Sequence, residues 1–205
     1  MEFQEIHIPL PGNQVRLYHP GVQKEPEDRI SFWWNVTPAA IALAEYLAET
    51  GDLTGKRVIE LGCGLGLAGI TAAMLGATVL FTDYMPEALE LAEKNARLNT
   101  IPENMTDFMI VDWEHTPEMP RFDIILGSEI LYDYFFHSSL IKMLKHILHP
   151  EGIILLTDRK RLVVSRFIGQ LAHAGFVSSE SHKFPRYQGF PKQEISIFHL
   201  TRYND

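Results

Sequence analysis

The sequence predicts an α/β protein: a seven-stranded, mostly parallel sheet with helices on both faces and its last strand antiparallel, preceded by an N-terminal β-hairpin. Three observations carry this. Short β-branched apolar runs alternate with amphipathic stretches of helical period after residue 37, the pattern of a parallel sheet wound by right-handed crossovers. The last two strand-like runs, 175–182 and 193–200, are separated only by a loop, so they pair antiparallel at the sheet edge. At 205 residues and 46% hydrophobic content the chain can bury one core and is too short for two full-sized domains.

Each element has its own signal. Residues 3–10 and 14–19 alternate apolar with polar (Ile6, Ile8, Leu10; Val15, Leu17) around Pro11-Gly12-Asn13, a hairpin signature. Residues 20–30, rich in Pro, Gly and charge, read as a loop leading to Phe32-Trp33-Trp34. We divide the chain accordingly into an extension, 1–30, and a main domain, 31–205. Thr37-Pro38 has the form of an N-cap followed by proline at the first helical position, with Ile41, Ala44, Leu47 and Ala48 as the buried face and Gly51 at the end. Strands are expected at 58–61, 77–82, 105–111, 122–127 and 152–157. A helix opens at Pro86 with Ala88, Leu91, Ala92 and Ala96 on one side. Ser138 or Ser139 should cap a helix carrying Leu140, Leu144, Ile147 and Leu148, which Pro150-Glu151-Gly152 should break before the fifth strand. A further helix is expected near 161–173.

The chemistry starts at Val58-Ile59-Glu60-Leu61-Gly62-Cys63-Gly64-Leu65-Gly66-Leu67-Ala68-Gly69, a buried strand turning on glycines into a helix. Small residues let the backbone approach a ligand, and the helix start offers free N–H groups and a positive dipole end. A nucleotide-type cofactor fits such a corner. Gly64-Leu65-Gly66-Leu67-Ala68-Gly69 satisfies the dinucleotide fingerprint, with Asp83 at a suitable distance for a ribose, so the glycines by themselves leave a dinucleotide open. Glu60, two places before the first glycine, sits where strand and turn read as buried, and a buried carboxylate requires a partner.

Composition bounds the rest. A net charge of −8, from 26 acidic and 18 basic residues, argues against a general nucleic-acid binder, which needs clustered Lys and Arg. The basic clusters are Arg159-Lys160-Arg161 and the scattered Lys183, Arg186 and Lys192. No apolar run reaches membrane-spanning length and Met1-Glu2-Phe3-Gln4 does not open a secretory signal. The expectation is a cytoplasmic protein with neither membrane nor nucleic-acid partners. The single cysteine, Cys63, precludes an internal disulfide and reads as a packed residue under the cofactor. His146 and His149 stand three apart near a helix end, where imidazoles suit the negative dipole; no metal site is expected.

Glu60-x-Gly62-x-Gly64-x-Gly66, read with its preceding acid, resembles motif I of class I, Rossmann-like S-adenosylmethionine (SAM) methyltransferases. Asp112-Trp113, followed by Phe122-Asp123-Ile124-Ile125-Leu126-Gly127-Ser128-Glu129-Ile130-Leu131-Tyr132, resembles the methyltransferase-like protein lysine methyltransferases of the seven-β-strand class over residues 30–200. The resemblance implies SAM as cofactor. Gly62 and Gly64 would form the turn against it, Glu60 and Ser128 would line its methionine end, Asp83 would bind the ribose hydroxyls, Asp112 would accept from the adenine amino group, and Trp113 would lie against the adenine ring. Glu129 and Tyr132 match the acceptor-side motif, as candidate catalytic residues. Glu129 would bind and orient the amine, and Tyr132 would shape the pocket. The family tryptophan expected before the first main helix is replaced by Thr37. Trp33 matches an earlier family aromatic and is a candidate cofactor contact, with Trp34 as an added neighbour. The aromatic, basic loop Phe184-Pro185-Arg186-Tyr187-Gln188-Gly189-Phe190-Pro191 reads as either an acceptor reader or a rigid edge cap.

The function expected is SAM-dependent methylation of a protein side-chain nitrogen, lysine preferred. A small-molecule N-methyltransferase of the same fold is the alternative. An NAD-dependent oxidoreductase fails on the missing substrate domain, and a catalytically silent SAM-binding protein is the remaining reading. The acceptor, the number of methyl groups and the oligomeric state are not written in these motifs.

Overall fold

The computed structural model describes residues 3–21, 34–159, 161–185 and 193–203. β1 (Gln4–Leu10) and β2 (Asn13–His19) form the N-terminal hairpin. The main sheet contains β3 (Arg57–Leu61), β4 (Thr78–Asp83), β5 (Thr106–Ile110), β6 (Phe122–Ser128), β7 (Leu148–Arg159), β8 (Phe176–Lys183) and β9 (Ile195–Arg202). Its order is β5-β4-β3-β6-β7-β9-β8, parallel except for β9, which runs against both neighbours. The predicted strand hairpin is present at the edge, with β9 inserted between β7 and β8.

Both faces of the sheet are covered, because the apolar runs point side chains alternately up and down. Val58, Val79, Phe81, Ile124 and Leu126 pack on one face against α1 (Pro38–Thr50), α2 (Leu67–Met74) and α3 (Pro86–Leu98). Ile59, Ile125, Ile154 and Leu156 pack on the other against α4 (His137–Ile147) and α5 (Leu162–His173). The hairpin joins the first of these cores through Ile8, Val15 and Leu17. Asn95 of α3, fully buried, fastens it: the side chain accepts from Tyr18 N at 2.7 Å and donates to Leu65 O at 3.0 Å. Asn99 accepts from Arg16 N at 2.9 Å and donates to Arg16 O at 2.6 Å. The two amides thus treat β2 as a strand edge and tie it to the glycine turn.

Thr37 caps α1 as expected, accepting from Ala40 N at 3.2 Å. Two expectations need correction. Ser138 and Ser139 lie inside the first turn of α4; the chain enters that helix through a 3-10 turn at Tyr134–Phe136, and Asp133 does the capping by accepting from Phe135 N at 2.9 Å. The helix ends at Ile147, ahead of Pro150-Glu151-Gly152; Leu148, expected on its apolar stripe, opens β7, which carries the three residues as an irregularity between the Phe122↔Leu148 and Ile124↔Ile153 pairs. An interrupted ladder accommodates a residue without an N–H.

Candidate active site

At the carboxyl ends of β3, β4, β5 and β6 the chain leaves each strand into the same space, where parallel sheets bind ligands. A cavity of about 990 Å³ opens there. Nine of the ten residues singled out from the sequence line it: Glu60, Gly62, Gly64, Asp83, Asp112, Trp113, Ser128, Glu129 and Tyr132. The tenth, Trp33, lies outside the described residues, as does most of the 184–191 loop. Trp34 is buried, 6% exposed, and the corner where the resemblance departs at Thr37 is walled by Asn35, Val36, Thr37 and Ala40.

The glycine turn is shaped by backbone conformation and by close approach. Gly62, Gly64 and Gly66 all have positive φ, 61°, 50° and 80°, which side-chain-bearing residues rarely adopt. Gly69 serves the third purpose of the fingerprint, close packing: a Cβ there would stand 2.3 Å from Phe81 Cε1 and 2.6 Å from Glu60 Oε2. Glu60 finds its partner at this spot. Its carboxyl accepts from Gly69 N at 2.9 Å, locking strand to helix, and burial pushes its pKa up to about 8. It is therefore mainly a neutral acid at pH 7. Asp83, 6% exposed, accepts from Gly64 N and Met85 N at 3.0 Å each. Burial raises its pKa, while those N–H groups oppose the shift.

Across the cavity Trp113 extends over Gly62, its Cζ2 3.8 Å from where a Cβ would stand, and meets Phe136 edge-on at 6.1 Å. Asp112 accepts from Glu114 N and pairs with His115 Nδ1, each at 2.9 Å. The imidazole lowers the Asp112 pKa, and the carboxylate raises that of His115.

Glu129 directly follows β6 with a left-handed backbone, φ 54°, a conformation that costs a non-glycine residue of order 1 kcal/mol or more and collects at functional sites. Its N–H donates to Thr157 O at 2.8 Å. Its carboxylate, 12% exposed, receives Arg159 Nε at 2.6 Å on Oε1 and Arg159 Nη2 at 3.2 Å on Oε2, with Arg161 Nη2 3.4 Å from Oε1. Tyr132 is half-exposed at the rim, and partial burial, followed by nearby Tyr84, Asp133 and Asp83, raises its phenol pKa. Asp158 is wholly buried behind the arginines; burial pushes its pKa up to about 7 against the pull of Arg161.

Sequence reasoning missed His115, Arg159, Arg161 and Asp158 as parts of this site. A signal existed for three of them: Asp158-Arg159-Lys160-Arg161 follows directly on the apolar run of the fifth parallel strand, where charge has no structural use and ligands gather. Among the described residues no group of three or more His, Cys, Asp or Glu could hold a metal.

A family model described as lysine methyltransferase matches residues 24–174. "EEF1A lysine methyltransferase 3" from Xenopus tropicalis is 32% identical over 208 residues, covering 98% of this chain and 87% of its own. "Protein N-lysine methyltransferase METTL21A" from Danio rerio is 41% identical over 134 residues, covering 62% of this chain and 60% of its own. Among solved structures, a ribosomal protein L11 methylase from Lactobacillus delbrueckii subsp. bulgaricus superposes with a TM-score of 0.64 at 24% identity, covering 83% of this chain and 81% of its own. That last likeness concerns the fold.

Proposed function

The chain belongs to the lysine methyltransferase family, and from that premise we propose that it transfers the methyl group of S-adenosylmethionine to the side-chain nitrogen of a lysine in a protein, with the labour divided between two walls of one cavity. The observation that carries the reading is that the ends of separate strands bring Asp83, Asp112, Trp113, Glu129 and Tyr132 into one cavity.

The residues present fit the cofactor. Glycines of positive φ clear the floor of the cavity, a buried carboxylate already held by backbone N–H groups faces it from β4, and an indole closes one side. In this reading Asp83 takes the ribose hydroxyls, Asp112 the adenine amino group, Trp113 the adenine face, and Glu60, Gly62, Gly64 and Ser128 surround the methionine end. SAM supplies a sulfonium methyl group. The protein's task is to present a neutral amine in line with it, and alignment alone contributes several kcal/mol. Glu129 orients the amine by accepting its hydrogen bond. Arg159 and Arg161 stand within 3.4 Å of that carboxylate, and the positive charge of the cofactor disfavours the ammonium form of the acceptor. Tyr132, its phenol kept protonated, narrows the mouth to a single extended side chain.

We also propose the division of the chain into the extension 1–30 and the domain 31–205, and a cytoplasmic location, which the lone Cys63 supports. Among the described residues no helix is long and apolar enough to cross a membrane.

The test is methyl transfer from isotopically labelled SAM into an extract of cells lacking this protein, separated into protein and small-molecule fractions, with Glu129→Gln as control. The expected outcome is label in one or a few protein bands, released as methyl-lysine on hydrolysis, and lowered at least about a hundredfold in the variant. Label confined to small molecules would overturn the protein-acceptor reading.

A further inference from the structure

Glu129 is gripped by two arginines that differ in how they are themselves held. Arg159 is 44% exposed, and among the described residues its side-chain hydrogen bonds go to Glu129. Arg161, 28% exposed, lies between two carboxylates: Nη2 is 3.4 Å from Glu129 Oε1, while Nη1 donates to Asp158 Oδ2 at 3.4 Å and stands 3.3 Å from Oδ1. Asp158 is itself fixed, because its strand residue pairs with Ser196 of β9 and its side chain has no exposure. Its Oδ1 accepts no hydrogen bond among the described residues. Burying a carboxylate with an oxygen left over is costly, and here the guanidinium is the group that faces it.

We propose that Asp158 and Arg161 form a positioning pair that sets the orientation of Glu129 toward the acceptor amine, while Arg159 is the exchangeable partner that the acceptor displaces. The inference rests on the reading of Glu129 as the acceptor-facing carboxylate. Arg159 takes one acceptor position on each oxygen of Glu129 and Arg161 crowds Oε1 from 3.4 Å, so an amine that is to be held in a fixed direction displaces one of the two. The partner without a buried anchor is the one that yields. Arg161, tethered at its far side by Asp158, then keeps Glu129 from rotating. Neither Asp158 nor Arg161 touches the reacting atoms; they act through Glu129.

The experiment measures initial rates of label incorporation from saturating SAM into the protein bands of the extract lacking this protein, over a series of extract dilutions. The variants are Arg161→Met, Arg161→Lys, Asp158→Asn and Arg159→Met, each alone and combined with Glu129→Gln. S-adenosylhomocysteine affinity and melting temperature are recorded in parallel. Arg161→Met and Asp158→Asn should each lower the limiting rate about tenfold or more, leave S-adenosylhomocysteine affinity within about twofold, and have no further effect once Glu129 is Gln, since residues acting as one unit are non-additive. Arg161→Lys should recover part of the loss. Arg159→Met should hold the limiting rate within about threefold and change mainly its dependence on extract concentration. Should Arg161→Met leave the rate intact while Glu129→Gln abolishes it, or should the two losses multiply, the positioning pair is wrong. Should Glu129→Gln itself be harmless, the failure belongs to the reading of Glu129.

Discussion

The residues proposed to hold the cofactor and those proposed to face the acceptor are fastened in different ways. On the cofactor side, the two buried carboxylates bond to backbone, Glu60 to Gly69 N and Asp83 to Gly64 N and Met85 N, all between 2.9 and 3.0 Å, while the half-exposed Asp112 pairs with His115. On the acceptor wall, Glu129 is held by Arg159 and Arg161, side chains that are 44% and 28% exposed. A site built on main-chain hydrogen bonds is set once the strand and helix form. One built on partly exposed ion pairs can exchange partners, since such pairs are individually worth little. In the proposed reading the molecule joins a preformed cofactor cradle to an acceptor side whose contacts can be replaced by a substrate.

The contrast can be broken most severely at Gly69. Gly69→Ala places a Cβ against Phe81 and Glu60 at 2.3 and 2.6 Å, and overpacking of this kind costs about 1–3 kcal/mol or more. A large drop in urea midpoint is expected, together with lost S-adenosylhomocysteine binding. Gly169→Ala on α5, with nothing within 4 Å of the new Cβ, is the control and should be neutral or stabilising by about 0.5–1 kcal/mol, the usual gain of Ala over Gly in a helix. Equal behaviour of the two would mean that the cradle is not tightly packed.

Asp83→Asn sharpens the comparison at intermediate size. The amide oxygen can keep one backbone N–H but loses the charge, so S-adenosylhomocysteine affinity measured by calorimetry should fall roughly ten- to hundredfold, or about 1.4–2.8 kcal/mol. Limiting methyl-transfer rate should change far less than under Glu129→Gln, because the two residues serve different walls.

A further test concerns pH dependence. The folded pKa of Glu60 is raised from 4.5 to about 8, so the folded state keeps a proton that the unfolded chain releases. Stability from this group is therefore complete below about pH 4.5 and declines as pH rises to about 8. Asp158, raised from 3.8 to about 7, acts in the same direction over a lower window. Melting temperature should fall between pH 6 and pH 8.5, and Glu60→Gln, which can still accept from Gly69, should flatten part of that fall. An unchanged slope would show that Glu60 does not titrate where its burial puts it.

What could be read in the chain beforehand follows the same division. Leu61-Gly62-Cys63-Gly64 and Thr82-Asp83 sit at strand ends that short apolar runs already mark, and a turn through positive φ demands glycine at the place it occurs. Local conformation therefore wrote the cofactor wall into consecutive residues. Glu129 and Tyr132 were visible through their resemblance to a known motif, yet the partners of Glu129 were not: Arg159 and Arg161 lie about thirty residues away and read in isolation as a solvated basic cluster. The cap of α4 was misplaced for a related reason, because Asp133 acts through a 3-10 turn that has no apolar period to announce it. The sequence by itself determined the strand and helix order, the glycine turn and the carboxylates at the strand ends, since these depend on neighbours along the chain. Only the tertiary structure decided which charges meet, because β6 and β7 become neighbours through sheet order, and burial, which separates a neutral Glu60 from an ion-paired Glu129, is a property of the packed molecule.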